Sequence, residues 1–265
     1  MKVLVKLGGT LLDAPECRER LAYELAAAAR EVSLVVVHGG GKQMTRFLAE
    51  RGIESRFING LRVTTPETID AVLKVFAGSV NHQLVASLIA AGGRAVGLTG
   101  IDANLVQAEP LDPALGAVGK PVASDSELLE ILTGRGYLPV VACVAGDGRG
   151  GVYNVNADQM AVACAVGFGA DLLLFLTDVA GVMGADKGII PLLTAAECAY
   201  LISQGIATGG MQAKLSAASD ALDKRVGQVV IAPGAEPGIV RRLLAGEPVG
   251  TRLTRAIDHH EQQLR

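Results

Sequence analysis

The first 42 residues, MKVLVKLGGTLLDAPECRERLAYELAAAAREVSLVVVHGGGK (1–42), decide the fold. Short apolar or β-branched runs are typical of buried strands, and the segment between two such runs carries helix-start signals. The predicted elements are, in order, a strand at 2–7, a helix from Asp13, Pro15 and Glu16 to about Arg30, a strand at 33–37, a glycine turn and a helix at about 43–51. This alternation predicts a mainly parallel sheet covered by helices on both faces.

The same alternation continues toward the end of the chain. Asn59-Gly60, within residues 53–64, predicts a two-residue hairpin turn, and Thr65-Pro66-Glu67 predicts the start of a long helix ending near Ala91. The proline-containing stretch between residues 99 and 124 is interpreted as a variable loop. Further predictions are strands at 95–98, 138–144, 172–176 and 229–231, and helices starting near Ser124, at Ala157, at a Thr194/Glu197 capping box and at Met211. We therefore expect an α/β fold, a three-layer αβα sandwich around a mainly parallel central sheet.

Composition excludes several classes of protein. The 265 residues are 50% hydrophobic and 19% charged, which excludes disorder, and the net charge of −3 offers no basic field for a polyanion. With five Phe, four Tyr and no Trp, stacking platforms for nucleic acid are not expected. Four widely spaced cysteines indicate a reducing compartment. Because Lys6 interrupts the first apolar run and the apolar stretch at 160–170 is short, we expect a cytoplasmic protein without membrane or nucleic-acid partners.

Ligands of such sheets collect at the carboxyl ends of the strands, where this sequence places three glycine-containing loops, at 6–10, 38–41 and 177–181. Glycine lets backbone N–H groups approach an anion, and a following helix adds its positive end. Lys6 stands at the end of a strand that should be buried. Either it has an anionic partner, or the strand lies at an edge and the lysine reaches solvent.

Two further charged residues, Lys214 and Asp158, can be interpreted either as functional or as ordinary parts of their helices. Lys214 falls in the first turn of the helix predicted from Met211, where the helix dipole disfavours a cation, yet most helical lysines are simply solvated. Asn156 predicts an N-cap with Asp158 in the first turn, which is compatible with a catalytic role. The glycines at 146, 148 and 151 match GxGxxG but lead into Val152-Tyr153, so we interpret them as a turn. No P-loop motif and no zinc-ligand spacing is present.

Six motifs, taken together and in order, resemble the amino acid kinase family over residues 2 to about 254. More narrowly, they are similar to the branch that phosphorylates N-acetyl-L-glutamate. NGLRVT and NVNAD discriminate this branch, whereas the first and last motifs are shared more widely. The motifs are KLGG (6–9), HGGGK (38–42), NGLRVT (59–64), YNVNAD (153–158), LTDVAGV (176–182) and GGMQAK (209–214).

The resemblance implies transfer of the γ-phosphoryl of ATP, with Mg²⁺, to the side-chain carboxylate of N-acetyl-L-glutamate in arginine biosynthesis. Lys6 and Lys214 would contact the transferring group and Asp158 would hold both ammonium groups. Substrate would be bound by Gly40, Gly41, Arg62 and Asn154, and nucleotide by Gly8, Gly9, Asp178, Gly181, Val182, Met183, Ile206 and Thr208. No protein-built metal site is implied.

The chemistry of the residues agrees with this resemblance. A carboxylate acceptor, of reference pKa about 4.3, is already ionised, so no general base is needed. The obstacle is repulsion between two anions, and each lysine at roughly 4 Å could offset on the order of 4 kcal/mol at an effective dielectric constant of 20. Arg62 suits a bidentate hold on the other carboxylate, although a hairpin arginine in water is the plain alternative.

Other functions and the assembly stay open at this point. An acetylated or carrier-linked aminoadipate kinase and a non-catalytic amino-acid sensor on the same fold are alternatives, and a uridylate kinase fits the acceptor loop less well. We expect one kinase domain with an N-lobe at about 1–155, a C-lobe at about 156–254 and a polar tail at 255–265. Because the first strand starts at Lys2, leaving no preceding helix, we expect a homodimer with little inhibition by arginine.

Overall fold

A computed structural model describes residues 1–255, so all but the first residue of the polar tail lies outside the described residues. The strands are β1 (Lys2–Leu7), β2 (Ser33–His38), β3 (Phe57–Ile58), β4 (Leu61–Arg62), β5 (Ala95–Thr99), β6 (Val106–Pro110), β7 (Val118–Ser124), β8 (Leu138–Ala142), β9 (Val144–Gly146), β10 (Val152–Val155), β11 (Leu172–Thr177), β12 (Leu192–Thr194), β13 (Gln228–Pro233) and β14 (Thr251–Thr254).

The helices are α1 (Gly9–Asp13), α2 (Pro15–Ala28), α3 (Gly41–Ala49), α4 (Pro66–Val72), α5 (Asn81–Ala90), α6 (Glu127–Gly134), α7 (Ala157–Phe168), α8 (Ala195–Ser203), α9 (Gly209–Asp223) and α10 (Ile239–Leu244). A π-helical segment, Leu73–Val80, joins α4 to α5 without a break. The predicted long helix is therefore confirmed, with a π-helical middle that the sequence pattern did not indicate.

The central sheet has eight strands in the order β12-β14-β13-β11-β1-β2-β8-β5. All neighbours are parallel except β13 and β14. The inner strands are largely apolar, and every residue of β11 is buried, because helices cover both faces. The predicted mainly parallel sheet is confirmed.

The helices form a layer on each face. One layer contains α5 and α10, each packed against α2. The other layer contains α6, α7, α8 and α9, with α7 against β1, β2 and β11. The predicted three-layer αβα sandwich is thus confirmed. Within the sheet, the strands from residues 2–142 lie side by side on one half, and those from residues 172–254 lie on the other. The loops after β11, β1 and β2 meet where the two halves join.

The prediction of a loop between residues 99 and 124 is wrong. This stretch contains β6 and β7, which close a small four-stranded barrel with β9 and β10. Two of its three prolines mislead because they occupy places where a strand tolerates them, while Pro113 begins a short 3-10 helix between β6 and β7. Pro110 ends β6, and Pro121 faces Ala108 across a register shift in the β6–β7 ladder.

Three predicted helix starts are also displaced. Asp13 does not cap α2, because it ends α1 and forms an ion pair with Arg46 at 2.8 Å. Helix α3 begins at Gly41, two residues earlier than the pattern indicated. Helix α6 begins three residues after Ser124, with the side chain of Asp125 accepting a hydrogen bond from the Glu127 N–H.

Local turn and cap predictions are confirmed. Asn59 and Gly60, at φ 50° and 77°, form the tight turn of the β3–β4 hairpin. The capping box at Thr194 is present, and Asn156 caps α7. The GxGxxG match is a turn between β9 and β10.

One helix of the described chain, Pro66–Ala90, is long and apolar enough by composition to cross a membrane. It is longer than the apolar stretch at 160–170 considered from the sequence. Its α5 part packs against α2, β5 and β8, so it is a core helix of this fold.

Candidate active site

Backbone from two glycine loops forms one wall of the site. A Cβ added at Gly9 would lie 3.2 Å from the Gly41 nitrogen and 3.4 Å from the Gly40 nitrogen. The loop after β1 therefore approaches the loop after β2 without intervening side chains. Helix α3 begins at Gly41, so the N–H groups of its first turn have no partner within the helix and are available to an anion.

Lys6 has the anionic partner that the buried strand required. Its Nζ lies 2.7 Å from Oδ1 of Asp158, and both side chains are only 8% exposed. Because β1 lies between β11 and β2, the alternative of an edge-strand lysine reaching solvent is wrong.

Lys214 reaches the same carboxylate from another element. Its Nζ lies 3.6 Å from Oδ2 of Asp158, with 17% of the side chain exposed. Because α9 already begins at Gly209, Lys214 stands in the second turn and not in the predicted first turn, so the helix dipole has little influence on it. The sequence pattern misplaced the start because Gly209 and Gly210 resembled a turn outside the helix.

Asp158 is the buried centre between the two ammonium groups. Asn156 accepts hydrogen bonds from the N–H groups of Asp158 and Gln159, which fixes the first turn of α7 and aims Asp158 at β1. Burial alone would raise the pKa of Asp158, but the charges of Lys6 and Lys214 outweigh burial and lower the pKa below its ordinary value. The carboxylate therefore stays ionised at neutral pH.

Arg62, on the β3–β4 hairpin, is also buried. Its Nη2 donates to the Gly41 carbonyl at 3.2 Å and to Oγ1 of Thr45 at 2.7 Å, its Nη1 donates to Ser55, and the guanidinium stacks on Phe57. The alternative of a hairpin arginine in water is thus wrong. Desolvation lowers the pKa of Arg62 from its ordinary value, although an arginine stays charged at neutral pH.

A pocket of about 600 Å³ lies between the loop after β1, α3 and the hairpin. Gly41 and Arg62 line it, as does Gly9. The other two predicted substrate residues are not among those that line it: Gly40 packs against Phe76, and Asn154 Nδ2 donates to Oγ1 of Thr64 at 3.1 Å. The pocket has room for a small acid, and three cationic residues, Lys42, Arg46 and Arg62, stand at its wall.

The predicted nucleotide residues fall into two groups. Gly8 donates to the Leu176 carbonyl, which holds the loop after β1 against the end of β11, where Asp178 follows. Asp178 is near Lys214. Burial would raise its pKa, but its hydrogen bonds, including those from Thr177 and Thr10, outweigh burial and lower it.

The second group surrounds the start of α9 and the segment at 181–183. Thr208 is the N-cap of α9, and Ile206 and Met183 are exposed. Val182 differs from the rest: its side chain is buried, its N–H donates to Oγ1 of Thr251 and its carbonyl accepts from the Ile190 N–H. A Cβ at Gly181 would meet the same Thr251 hydroxyl at 2.9 Å. Val182 therefore supports this surface from the core and does not expose its side chain there.

Three residues that hold the side chains of the site belong to none of the motifs found in the sequence. Thr45 and Ser55 hold the Arg62 guanidinium, and Thr10 reaches Asp178. A signal for Ser55 existed, since a hairpin turning at 59–60 returns residue 62 toward the segment before residue 57. Thr45 and Thr10 gave no such signal.

Comparison with known proteins agrees with this geometry. The model of the family described as "Amino acid kinase family" matches residues 1–233. The chain belongs to the amino acid kinase family. It is 64% identical to an acetylglutamate kinase of Solibacter usitatus over 97% of this chain and 100% of that protein. It is 45% identical to an acetylglutamate kinase of Rubrobacter xylanophilus over 94% and 95% of the two chains.

The fold has a solved counterpart as well. The crystal structure of smu.665 from Streptococcus mutans superposes with a TM-score of 0.82, at 26% identity, over 96% of this chain and 98% of that one. The resemblance found in the sequence, to this family and to its acetylglutamate kinase branch, is therefore confirmed.

Replacing Asp158 by Asn should lower the free energy of unfolding at pH 7 by about 3 kcal/mol, because two buried ammonium groups lose their shared counter-ion. Because the folded-state pKa of Asp158 is lowered, its contribution is complete above the unfolded value of about 3.9 and is lost as the pH falls through the folded value. Chemical denaturation from pH 7 to pH 3 measures both effects.

Asp220→Asn is the matched control for this test. Asp220 pairs with Lys224 on the surface of α9, and both side chains are about half exposed. Its loss should cost about 0.5 kcal/mol or less. Equal losses for the two variants, or an Asp158→Asn deficit that grows on acidification, would contradict the description of Asp158.

Proposed function

We propose that this chain transfers the γ-phosphoryl of ATP to the side-chain carboxylate of N-acetyl-L-glutamate, forming an acyl phosphate in arginine biosynthesis. The observation that carries the proposal is the Lys6–Asp158–Lys214 cluster, in which two cations from distant elements share one carboxylate. Two relatives that this chain matches over nearly their whole length, at 64% and 45% identity, are acetylglutamate kinases.

The cluster suits a reaction that needs charge neutralisation and no base. The acceptor carboxylate is an anion at neutral pH, and the phosphoryl group carries negative charge throughout a loose transfer. Lys6 and Lys214 would stabilise that charge as the phosphoryl group moves between donor and acceptor oxygens. Asp158 keeps the two ammonium groups in place when no phosphate is bound.

The acceptor would lie between the glycine wall and the hairpin. Gly40 and Gly41 would offer backbone N–H groups, Arg62 would hold the carboxylate that does not react, and Asn154 would contact the amide region. Hydrogen bonds to Ser55, Gly41 and Thr45 use three of the five N–H groups of the Arg62 guanidinium in the described structure, which leaves donors for a bound carboxylate. Arg62 is thus preorganised by the protein at the wall of the pocket.

ATP would lie over the half of the sheet formed by residues 172–254. Its phosphates would meet Gly8, Gly9 and the first turn of α9, whose free N–H groups favour an anion. Asp178, Gly181, Met183, Ile206 and Thr208 would surround the remainder of the nucleotide, with Val182 supporting them from the core.

Mg²⁺ would enter as the partner of ATP. Among residues 1–255, no three His, Cys, Asp or Glu side chains are grouped as a cage for a metal ion. Mg²⁺ does not need such a cage, because it is commonly held by substrate phosphates together with one or two carboxylates, and the carboxylate here would be Asp178. Bound there, the ion would neutralise phosphate charge.

The division of the chain into two lobes corresponds to the two halves of the central sheet. We propose an N-lobe up to about residue 155 for the acceptor and a C-lobe from about 156 to 254 for the nucleotide, in agreement with the strand order. A cytoplasmic location is supported by four unpaired cysteines.

The reaction itself is tested by trapping the acyl phosphate with hydroxylamine. With Mg-ATP and N-acetyl-L-glutamate, the purified chain should form the hydroxamate and ADP in equal amounts, because an acyl phosphate reacts with this nucleophile. N-acetyl-L-2-aminoadipate, one methylene longer, should be used about 10- to 200-fold less efficiently.

Two outcomes would contradict the proposed function. Hydroxamate formed faster from the aminoadipate derivative would assign the chain to that acceptor. Tight binding of N-acetyl-L-glutamate without ADP formation would identify a sensor. Uridylate in place of the acid serves as the negative control.

We propose a homodimer formed through the exposed apolar side of the long helix, where Leu73 and Ile89 face solvent. Sedimentation should give twice the chain mass, and Ile89→Glu should give monomers. Ile131→Glu, an equally exposed isoleucine on α6, is the matched control and should leave the mass unchanged. A hexamer, or a monomer in the unsubstituted chain, would overturn the proposal.

A further inference from the structure

His38, the last residue of β2, is buried completely and is not part of the proposed acceptor or nucleotide contacts. Its Nδ1 lies 2.9 Å from the Gly39 carbonyl oxygen, and its Nε2 lies 3.0 Å from Nδ2 of Asn81, the first residue of α5. The same Asn81 nitrogen donates to the Val140 carbonyl at 2.9 Å. An imidazole that leads directly into the glycine loop is thus held from both sides.

These partners define one tautomer of the ring. A carbonyl oxygen only accepts, so Nδ1 carries the proton, and Nε2 accepts from the second N–H of the Asn81 amide. Burial lowers the pKa of His38 to about 4, although its bond to Gly39 acts in the opposite direction. The ring is therefore neutral at pH 7 and has a fixed donor at Nδ1.

The hydrogen bond between His38 and the Gly39 carbonyl also determines the direction of the Gly40 N–H. The Gly39 carbonyl and the Gly40 N–H belong to one trans peptide unit, so they point in opposite directions. Because residues 39 and 40 are both glycine, this peptide can rotate with little steric cost. Holding the carbonyl against His38 aims the Gly40 N–H away from the ring. The loop after β1 is close to the same nitrogen, which would lie 3.4 Å from a Cβ added at Gly9.

The π-helical segment places the other supports of this loop. A Cβ at Gly40 would meet the Phe76 ring at 2.9 Å and Val80 at 3.4 Å, so the segment at 73–80 packs directly on the loop. Asn81 follows that segment, and its Oδ1 is buried without a hydrogen-bond partner in the described structure. An apolar side chain would avoid that unsatisfied oxygen, so stability alone does not explain an amide here.

We propose that His38 and Asn81 are positioning residues that lock the Gly39–Gly40 peptide so that the Gly40 N–H faces the reacting groups. Asn81 fixes the tautomer of His38, and His38 fixes the peptide. The inference rests on the proposed function, because the value of the lock lies in the contact between the Gly40 N–H and substrate.

The test compares two variants in the hydroxylamine assay. The double variant His38→Leu/Asn81→Leu removes together the imidazole and the amide that bind each other. The Gly39 and Val140 carbonyls each lose a donor, so the denaturation midpoint should fall somewhat, and kcat is compared at a temperature at which the double variant is fully folded. Its kcat should fall on the order of 100-fold, as for the loss of one preorganised donor, with little change in KM for ATP. His38→Asn keeps a donor near the Nδ1 position and should restore kcat to within about tenfold of the unsubstituted chain.

Unchanged kcat in the double variant would overturn the proposal, and so would a His38→Asn variant as slow as the double variant. The Gly40 amide signal in a ¹H–¹⁵N NMR spectrum gives a readout independent of activity. It should shift and broaden or split in the double variant and stay single in His38→Asn. A single unshifted Gly40 signal in the double variant would refute the lock even if the chain used another acceptor.

Discussion

The carboxylate of Asp158 is the constraint on which the site depends. Two buried ammonium groups would repel each other strongly without it, and a buried carboxylate without them would be protonated or exposed. Each partner comes from a different element: β1, the first turn of α7 and the second turn of α9. The charges can meet only if those three elements pack in one arrangement, so the chemistry and the fold require each other.

The surrounding sheet supplies that arrangement. Placing β1 between β11 and β2 brings three strand ends, and therefore three loops, to one edge. Two of those loops offer backbone N–H groups in place of side chains, which suits a site that must admit a bulky anion closely. Arg62 comes from a separate hairpin, so under the proposed function the recognition of the acceptor and the neutralisation of the phosphoryl group would fall to different elements.

Much of this was predictable from the sequence because the signals are local. Lys6 in an otherwise apolar strand indicated an anionic partner if that strand was buried, Asn156 is a strong N-cap residue, and the alternation of strands and helices predicted the sandwich. The small barrel was missed because prolines at a strand end and at a bulge resemble loop residues. The start of α9 was missed because its first two residues are glycines, and the pairing of His38 with Asn81 spans 43 residues and leaves no periodic trace.

The most direct measurement of the central claim is kcat for Lys6→Met and Lys214→Met beside controls on the same elements. Lys2, at the exposed start of β1, and Lys224, paired with Asp220 on α9, are the matched lysines. If the two buried ammonium groups neutralise the moving phosphoryl group, each site variant should lose about 100- to 1,000-fold in kcat, while Lys2→Met and Lys224→Met stay within about threefold. Folded site variants that turn over as fast as their controls would contradict the account.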